Sequence, residues 1–320
     1  MDKLYPWLQQ EWRHWQQRVG SGRFPNANLV VAPKGLGAHD LVQHLVAVLL
    51  CEDQSTSACG FCHSCQLVES GNHPDYHLIA PEKEGKGIGV DQIRQINRIA
   101  MESSQLFGPR VILIEPAENM NTSASNALLK TLEEPPENCI FILRTAAANK
   151  LLPTIVSRCQ QWLIRTPNTE TTMQWLADKG HAKVPSYVLT LNHGAPLEAE
   201  TFLSEGKMKQ YEQAEQALIH FLAASEQVSE VYKKLDVEGN ESLRWIWYLL
   251  ADAQKLHFQP DLTGTLPGAL ALKEAKSYSS LYNQSKSLAE LLNQFSAFSG
   301  LNRELLIADW LFKFYEDTCS

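Results

Sequence analysis

Four cysteines lie close together in 51-CEDQSTSACGFCHSCQ-66, spaced C-x7-C-x2-C-x2-C. Two residues between cysteines let both sulfurs turn back on one ion, and Gly60 eases the turn between them. In a reducing compartment, thiolates at this spacing suit tetrahedral Zn²⁺ better than disulfides. Cys51, Cys59, Cys62 and Cys65 are therefore the expected ligands of one structural Zn²⁺. Four thiolates close the coordination shell and leave no position for a catalytic water. His63, His73 or His77 could stand in for one cysteine, and a set of free loop thiols is the alternative without metal. The remaining cysteines, Cys139, Cys159 and Cys319, are scattered.

A second stretch, 31-VAPKGLGAHDL-41, has the outline of a phosphate-binding loop without its working residues. Such a loop reads G-x-x-x-x-G-K-[ST], with glycines for close backbone approach, a lysine on the phosphates and a hydroxyl on Mg²⁺. Gly35 and Gly37 are present. With Gly37 as the second motif glycine, the first becomes Ala32, the lysine becomes Ala38 and the hydroxyl becomes His39. Lys34 is the one basic residue near the turn, and it comes before it. The strand 111-VILIEPAE-118 has a matching defect. An NTPase strand ends in two acidic residues, one holding Mg²⁺ and one polarising water. Here the pair is Glu115-Pro116, and proline cannot act as a base. A plain core strand ending in a proline turn explains Glu115 equally well. Two defects in register point to an inactive copy of an active fold, with no cofactor bound in cis.

The elements around these residues alternate. A helix is expected over 4–19, packing Trp7, Trp12 and Trp15, then a strand at 28–32 and a helix at 38–50. Strands follow at 75–81, 110–116, 139–145 and 160–165, with helices at 90–104 and 121–134 and a short turn of helix near 152–157. Pro135-Pro136 stops the helix before them. Apolar strands alternating with helices imply an α/β fold on a parallel sheet covered on both faces, with ligands beyond the carboxyl ends of the strands. After about residue 166 the chain reads as helices: 169–180, 185–194, 207–235, 240–258, 270–282, 285–298 and 302–317.

Composition bounds the partners. The chain has 320 residues and a formal net charge of −8. As a whole it is no polyanion binder, so any nucleic-acid contact must be local or shared with a more basic partner. The amino-terminal stretch lacks the pattern of a signal peptide, and no apolar run approaches the length of a bilayer span. A cytoplasmic location is expected.

Together, the cysteine module, 72-NHPDYHLIAPE-82, 126-NALLKTLEEPP-136 and 156-VSRCQQ-161 resemble the bacterial clamp-loader subunits of the AAA+ class of P-loop-like proteins. The likeness extends from 5-YPWL-8 to 300-GLNRELLIADWL-311. Hydrolysing relatives, the tau and gamma subunits, keep an intact G-K-[ST] and an acidic pair; this sequence departs at both. The resemblance therefore implies a subunit of the DNA polymerase III apparatus, a nucleotidyltransferase complex, with no ATPase activity of its own. It implies a hetero-pentamer with tau/gamma ATPase subunits and delta, loading the sliding clamp onto primer–template DNA. It also implies that Arg158 reaches the ATP of a neighbouring subunit in trans, although a surface ion pair would explain this arginine too. Leu197 takes the place of a phosphate-sensing arginine. Lys130 lies on a helix that would face DNA, or is an exposed lysine paired with Glu134. Three domains are expected: 1–166, α/β with the zinc module at 51–65; 167–208, a small helical lid; and 209–320, a helical collar. The competing readings are an ATPase with unorthodox residues and a zinc-module nucleic-acid-binding protein. The module has hardly any Lys, Arg or aromatic residue apart from Phe61, which weighs against the latter.

Overall fold

The computed structural model describes residues 4–53, 55–83, 85–106, 108–223, 227–236, 239–298 and 300–317, so Cys319 lies outside the described residues. The chain divides into two compact units, Met1–Pro167 and Asn168–Ser320.

The first unit is built on a five-stranded parallel sheet in the order β2-β3-β4-β1-β5. Its strands are β1 (Ala27–Val31), β2 (Tyr76–Ile79), β3 (Arg110–Ile114), β4 (Cys139–Thr145) and β5 (Gln160–Leu163). β3 is buried along its whole length and β4 nearly so. That is why both read as continuous apolar runs rather than alternating ones. The helices are α1 (Gln9–Gly20), α2 (Ala38–Leu50), α3 (His63–Glu69), α4 (Val90–Ala100), α5 (Thr122–Glu133) and α6 (Pro153–Val156). Ile93 and Ile96 of α4 and Leu128 and Leu132 of α5 pack with Ile112, Ile114, Phe141 and Leu143 of the sheet. A fully buried aliphatic side chain contributes about 1.5–3 kcal/mol, so this layer dominates the unit's stability. The Asn121 side chain caps α5 by accepting from the Ala124 amide at 2.8 Å. The helix ends just before Pro135-Pro136, as those prolines require.

The second unit is helical: α7 (Thr169–Asp178), α8 (Tyr187–Leu191), α9 (Pro196–Ser204), α10 (Lys207–Leu222), α11 (Val228–Leu235), α12 (Glu241–Phe258), α13 (Ala269–Ala275), α14 (Tyr278–Ala297) and α15 (Arg303–Glu316). Leu243, Trp245, Ile246, Leu249 and Leu250 of α12 are buried where this helix packs against α10, α13 and α14, with Trp245 edge-on to Tyr211 of α10, ring centroids 6.1 Å apart. Two expectations are corrected. The stretch 207–235 is two helices, α10 and α11, rather than one. The break expected at 283–284 falls instead at Lys276-Ser277, where the Ser277 hydroxyl caps α14 by accepting from the Ser280 amide at 3.2 Å. α9 falls in the stretch between 194 and 207, to which the sequence assigns no element; Pro196 starts this helix, as proline at the first helical position readily does. No helix among the described residues is long and apolar enough to cross a membrane.

Candidate functional site

The glycine turn sits where α/β folds bind ligands, between the carboxyl end of β1 and the start of α2. Gly35 and Gly37 both adopt left-handed backbone, with φ of 74° and 72°. At Gly37 a side chain is excluded twice over: by this φ, and because a Cβ would lie 2.3 Å from Cε2 of Tyr5. Tyr5 stacks on Trp7, ring centroids 5.0 Å apart, and the Trp7 indole donates to the Leu36 carbonyl at 2.9 Å. The amino-terminal aromatic pair therefore lies against the turn. The first turn of α2 carries Ala38, His39 and Asp40. Asp40 complements the helix dipole, and its charge would repel a phosphate there.

Glu115, at the end of β3, is only 12% exposed at its side chain and already has charge partners. Arg144 of β4 makes a close ion pair with it, and His39 Nδ1 lies 3.1 Å from its other oxygen. Burial works against the carboxylate's charge, but hydrogen bonds and charges from His39 and Arg144 outweigh it and hold the carboxyl below its ordinary range. In return the Glu115 hydrogen bond raises the His39 pKa, with burial opposing it. The site therefore holds a self-neutralised cluster of one carboxylate, one guanidinium and one imidazole. Arg144 was not singled out from the sequence; it reads there as the polar end of an apolar strand.

The four thiols converge. The Sγ atoms of Cys51, Cys59, Cys62 and Cys65 all lie within 4.8 Å of one another, and the set could hold a metal ion. The amide of Cys59 donates to Cys51 Sγ, that of Cys62 to Cys59 Sγ and that of Cys65 to Cys62 Sγ, each at 3.4 Å. Amides aimed at sulfur favour thiolates, the form a metal needs. Cys62 also caps α3, a helix the sequence reading missed because cysteines obscure its periodicity. His63, His73 and His77 are not part of the cluster. His73 is buried instead; its Nε2 meets the Ser64 hydroxyl at 3.3 Å and its Nδ1 accepts from the Asp75 amide at 3.1 Å. It ties α3 to the start of β2. Asp75 also pairs with buried Arg110 at 3.2 Å and accepts from the amides of Gln105 and Leu106. The 72-NHPD-75 motif is thus a joint between the module and the sheet. Cys139 and Cys159 stand apart; burial pushes each thiol up to about 12, which leaves both unreactive.

Arg158 follows α6 at the edge of the unit. Its Nη2 lies 3.4 Å from Glu133 Oε2 and its Nη1 donates to the Thr154 carbonyl at 3.1 Å. Its side chain is 31% exposed. Lys130 is exposed on α5 and has no ion pair among the described residues, so the Glu134 partnership does not form. Leu197 is half-buried on α9.

Two family descriptions match the chain: "DNA polymerase III, delta subunit" over residues 7–168, and "DNA polymerase III, delta subunit, C terminal" over residues 205–316. The DNA polymerase III subunit delta' of Haemophilus influenzae is 33% identical over 320 residues, covering 97% of each chain. The Escherichia coli subunit of the same name is 33% identical over 321 residues, covering 97% of this chain and 95% of its own. The Pseudomonas aeruginosa subunit is 39% identical over 214 residues, covering 66% of this chain and 64% of its own.

Proposed function

Because this chain belongs to the family of DNA polymerase III delta-prime subunits, we propose that it is a non-hydrolysing clamp-loader subunit, kept for its shape and interfaces. The observation that carries this reading is the state of the phosphate site. Glu115, the acid that would hold Mg²⁺, is neutralised by Arg144 and His39, and Tyr5 lies against the turn that would cradle phosphates. An ATPase with unorthodox residues would need a free carboxylate and an open turn. In this reading the fold is of AAA+ type, with an α/β domain at 1–166, a lid at 167–208 and a collar at 209–320. The partners are tau/gamma ATPase subunits and delta in a hetero-pentamer that places the sliding clamp on primer–template DNA in the cytoplasm.

Cys51, Cys59, Cys62 and Cys65 fit one structural Zn²⁺: four sulfur donors within 4.8 Å of one another, three of them receiving amide hydrogen bonds. Arg158 acts in trans. Its partner Glu133 is 61% exposed, and an exposed ion pair is worth so little that a neighbour's phosphate can take the guanidinium from it. A planar fork binds phosphate bidentately and offsets charge that develops in phosphoryl transfer.

The test is reconstitution with the ATPase subunits and delta, then sizing and steady-state ATPase on primed DNA with clamp. The isolated chain should hydrolyse no ATP and should enter the complex. Arg158→Ala should assemble normally yet lower DNA-dependent turnover and loading partially, because only one of several ATP sites borders this subunit. Arg158→Lys should rescue little. Wild-type turnover in the alanine variant would reduce Arg158 to its surface pair with Glu133.

A further inference from the structure

The exposed face of α1 carries a basic groove that the clamp-loading role leaves unexplained. A cavity of about 510 Å³ at the end of this helix is lined by His14, Gln17, Arg18, Ser21, Arg23 and Trp162. A second, of about 560 Å³, shares Gln17 and Ser21 and is bordered by Arg13, Gln16 and Thr56. Residues 13, 14, 17, 18 and 21 fall on one side of the helix by its 3.6-residue period, whereas Trp15 on the opposite side is buried. The two cavities therefore form one continuous groove.

Its construction differs from that of an ordinary solvated face in three ways. Arg13, Arg18 and Arg23 are exposed and form no ion pair among the described residues, in a chain whose net charge is −8. The single carboxylate on this face, Glu11, is 3.7 Å from His14 rather than from any of the arginines. The floor is rigid: Trp162 stacks on Phe24, donates to Asn28 Oδ1 at 3.0 Å, and carries the Arg18 guanidinium 5.8 Å from its ring centroid. That cation–π contact holds one cation in place without neutralising it. One wall is the loop of the cysteine module, fixed by the Gln16 side chain donating to the Thr56 carbonyl at 2.9 Å. The carboxyl end of the helix opposes anions, but the amides of Ser21, Gly22 and Arg23 already occupy its last carbonyls. Three full charges outweigh the roughly half charge that remains.

We propose that this groove binds the phosphate backbone of a nucleic-acid strand, with Arg13, Arg18 and Arg23 on successive phosphates. Guanidinium forks match phosphate bidentately, and Gln17, Ser21 and Thr56 supply hydrogen-bonding groups for sugar and phosphate between them. The groove contacts no base edge through a fixed polar constellation, so binding is indifferent to sequence. This is the local contact that an acidic chain requires if it touches nucleic acid at all. It stands independently of the clamp-loader reading, because the isolated full chain is enough to test it.

The experiment titrates fluorescent oligothymidylate with the purified metal-replete chain across a fourfold range of salt. Three phosphate contacts on a single strand give a log–log slope of about −2, hence roughly twentyfold weaker binding over that range. The triple variant R13E/R18E/R23E, whose three sites are all exposed, should lose binding at least tenfold while keeping wild-type circular dichroism and metal content. The variant K86E/K183E/K286E changes net charge equally at exposed sites elsewhere, and it should bind within twofold of wild type. Absence of wild-type binding at low salt overturns the proposal, as does equal loss in the two triple variants. Displacement of the oligonucleotide by polyglutamate of equal charge would assign the groove to an acidic protein segment instead.

Discussion

At the scale of single residues, the vacated phosphate site is more thoroughly closed than its missing lysine implies. Substituting Ala38→Lys and His39→Thr restores the motif's lysine and hydroxyl, with Ala32 still in the place of its first glycine. It does not free Glu115 from Arg144, and it does not move Tyr5 from Gly37. The double variant should therefore still show no ATP-dependent rise in melting temperature, whereas a site that binds at 100 times Kd would gain about 2.7 kcal/mol. A clear nucleotide-dependent shift would mean that only the lysine and the hydroxyl were lacking. The His39–Glu115 contact also has a pH signature. The folded pKa of His39 is raised above 6.5, so its contribution is complete below that value and is lost as pH rises through the folded pKa. That of Glu115 is lowered, so its contribution is present above about 4.5 and is lost as pH falls through the folded value. The contact thus works best in mild acid. Melting of His39→Ala against wild type should show a gap at about pH 5.5 that narrows by about pH 8.5, because Arg144 still serves Glu115 when the imidazole is neutral.

At the scale of elements, the sheet and the thiol cluster were legible, and the reasons are specific. β3 and β4 are apolar at nearly every position because parallel strands covered on both faces must be, and α5 announces its ends with Asn121 and Pro135-Pro136. The cysteine spacing encodes its own convergence. The joint between α10 and α11 and the start of α14 were not legible, since tertiary packing and a single serine cap decide them. The Glu115–Arg144–His39 cluster was also hidden, because its members come from three separate elements and meet only across the sheet. In the proposed zinc reading, α3 is the element that depends most on the metal. It is a short helix capped by Cys62, one of the proposed ligands, and held to the sheet through Ser64 and His73. Helices this short are not stable alone, so in that reading the ion supplies what length cannot. Cys62→Ser should release the metal, measured as well under one zinc per chain, and expose 51–72 to protease while the sheet stays folded. His73→Ala should keep the metal but lower the melting temperature, since it removes the joint and leaves Ser64 and the Asp75 amide without that partner. Retained zinc in Cys62→Ser would mean that a histidine can complete the set.

At the scale of the whole molecule, the proposed collar at 209–320 must offer neighbours something other than its core. Of the apolar stripe on α12, Leu243, Ile246 and Leu250 are fully buried inside the second unit, whereas its fourth member, Trp247, is half-buried. The three buried residues hold α12 against α10 and α14 and are not available to a partner. The exposed apolar surface lies elsewhere. Leu305 and Phe312 on α15 are 65% and 52% exposed and sit seven residues apart, two turns along one side of the helix. Ile307, Trp310, Leu311 and Phe314 face inward from the same helix, so its fold does not depend on the outer pair. A subunit that joins a ring of homologous collars would bury such a stripe in its neighbour. Leu305→Glu with Phe312→Glu should therefore leave the isolated chain's melting temperature within a few degrees of wild type, while weakening its entry into the pentamer at least tenfold by analytical sizing. Leu250→Ala should do the reverse, lowering stability by about 2–5 kcal/mol through a core cavity, with assembly intact wherever the chain remains folded. If the double glutamate variant assembles at wild-type affinity, the collar contact lies on another face, and the aromatic group of Phe258, Tyr278 and Tyr282 is the next exposed surface to charge.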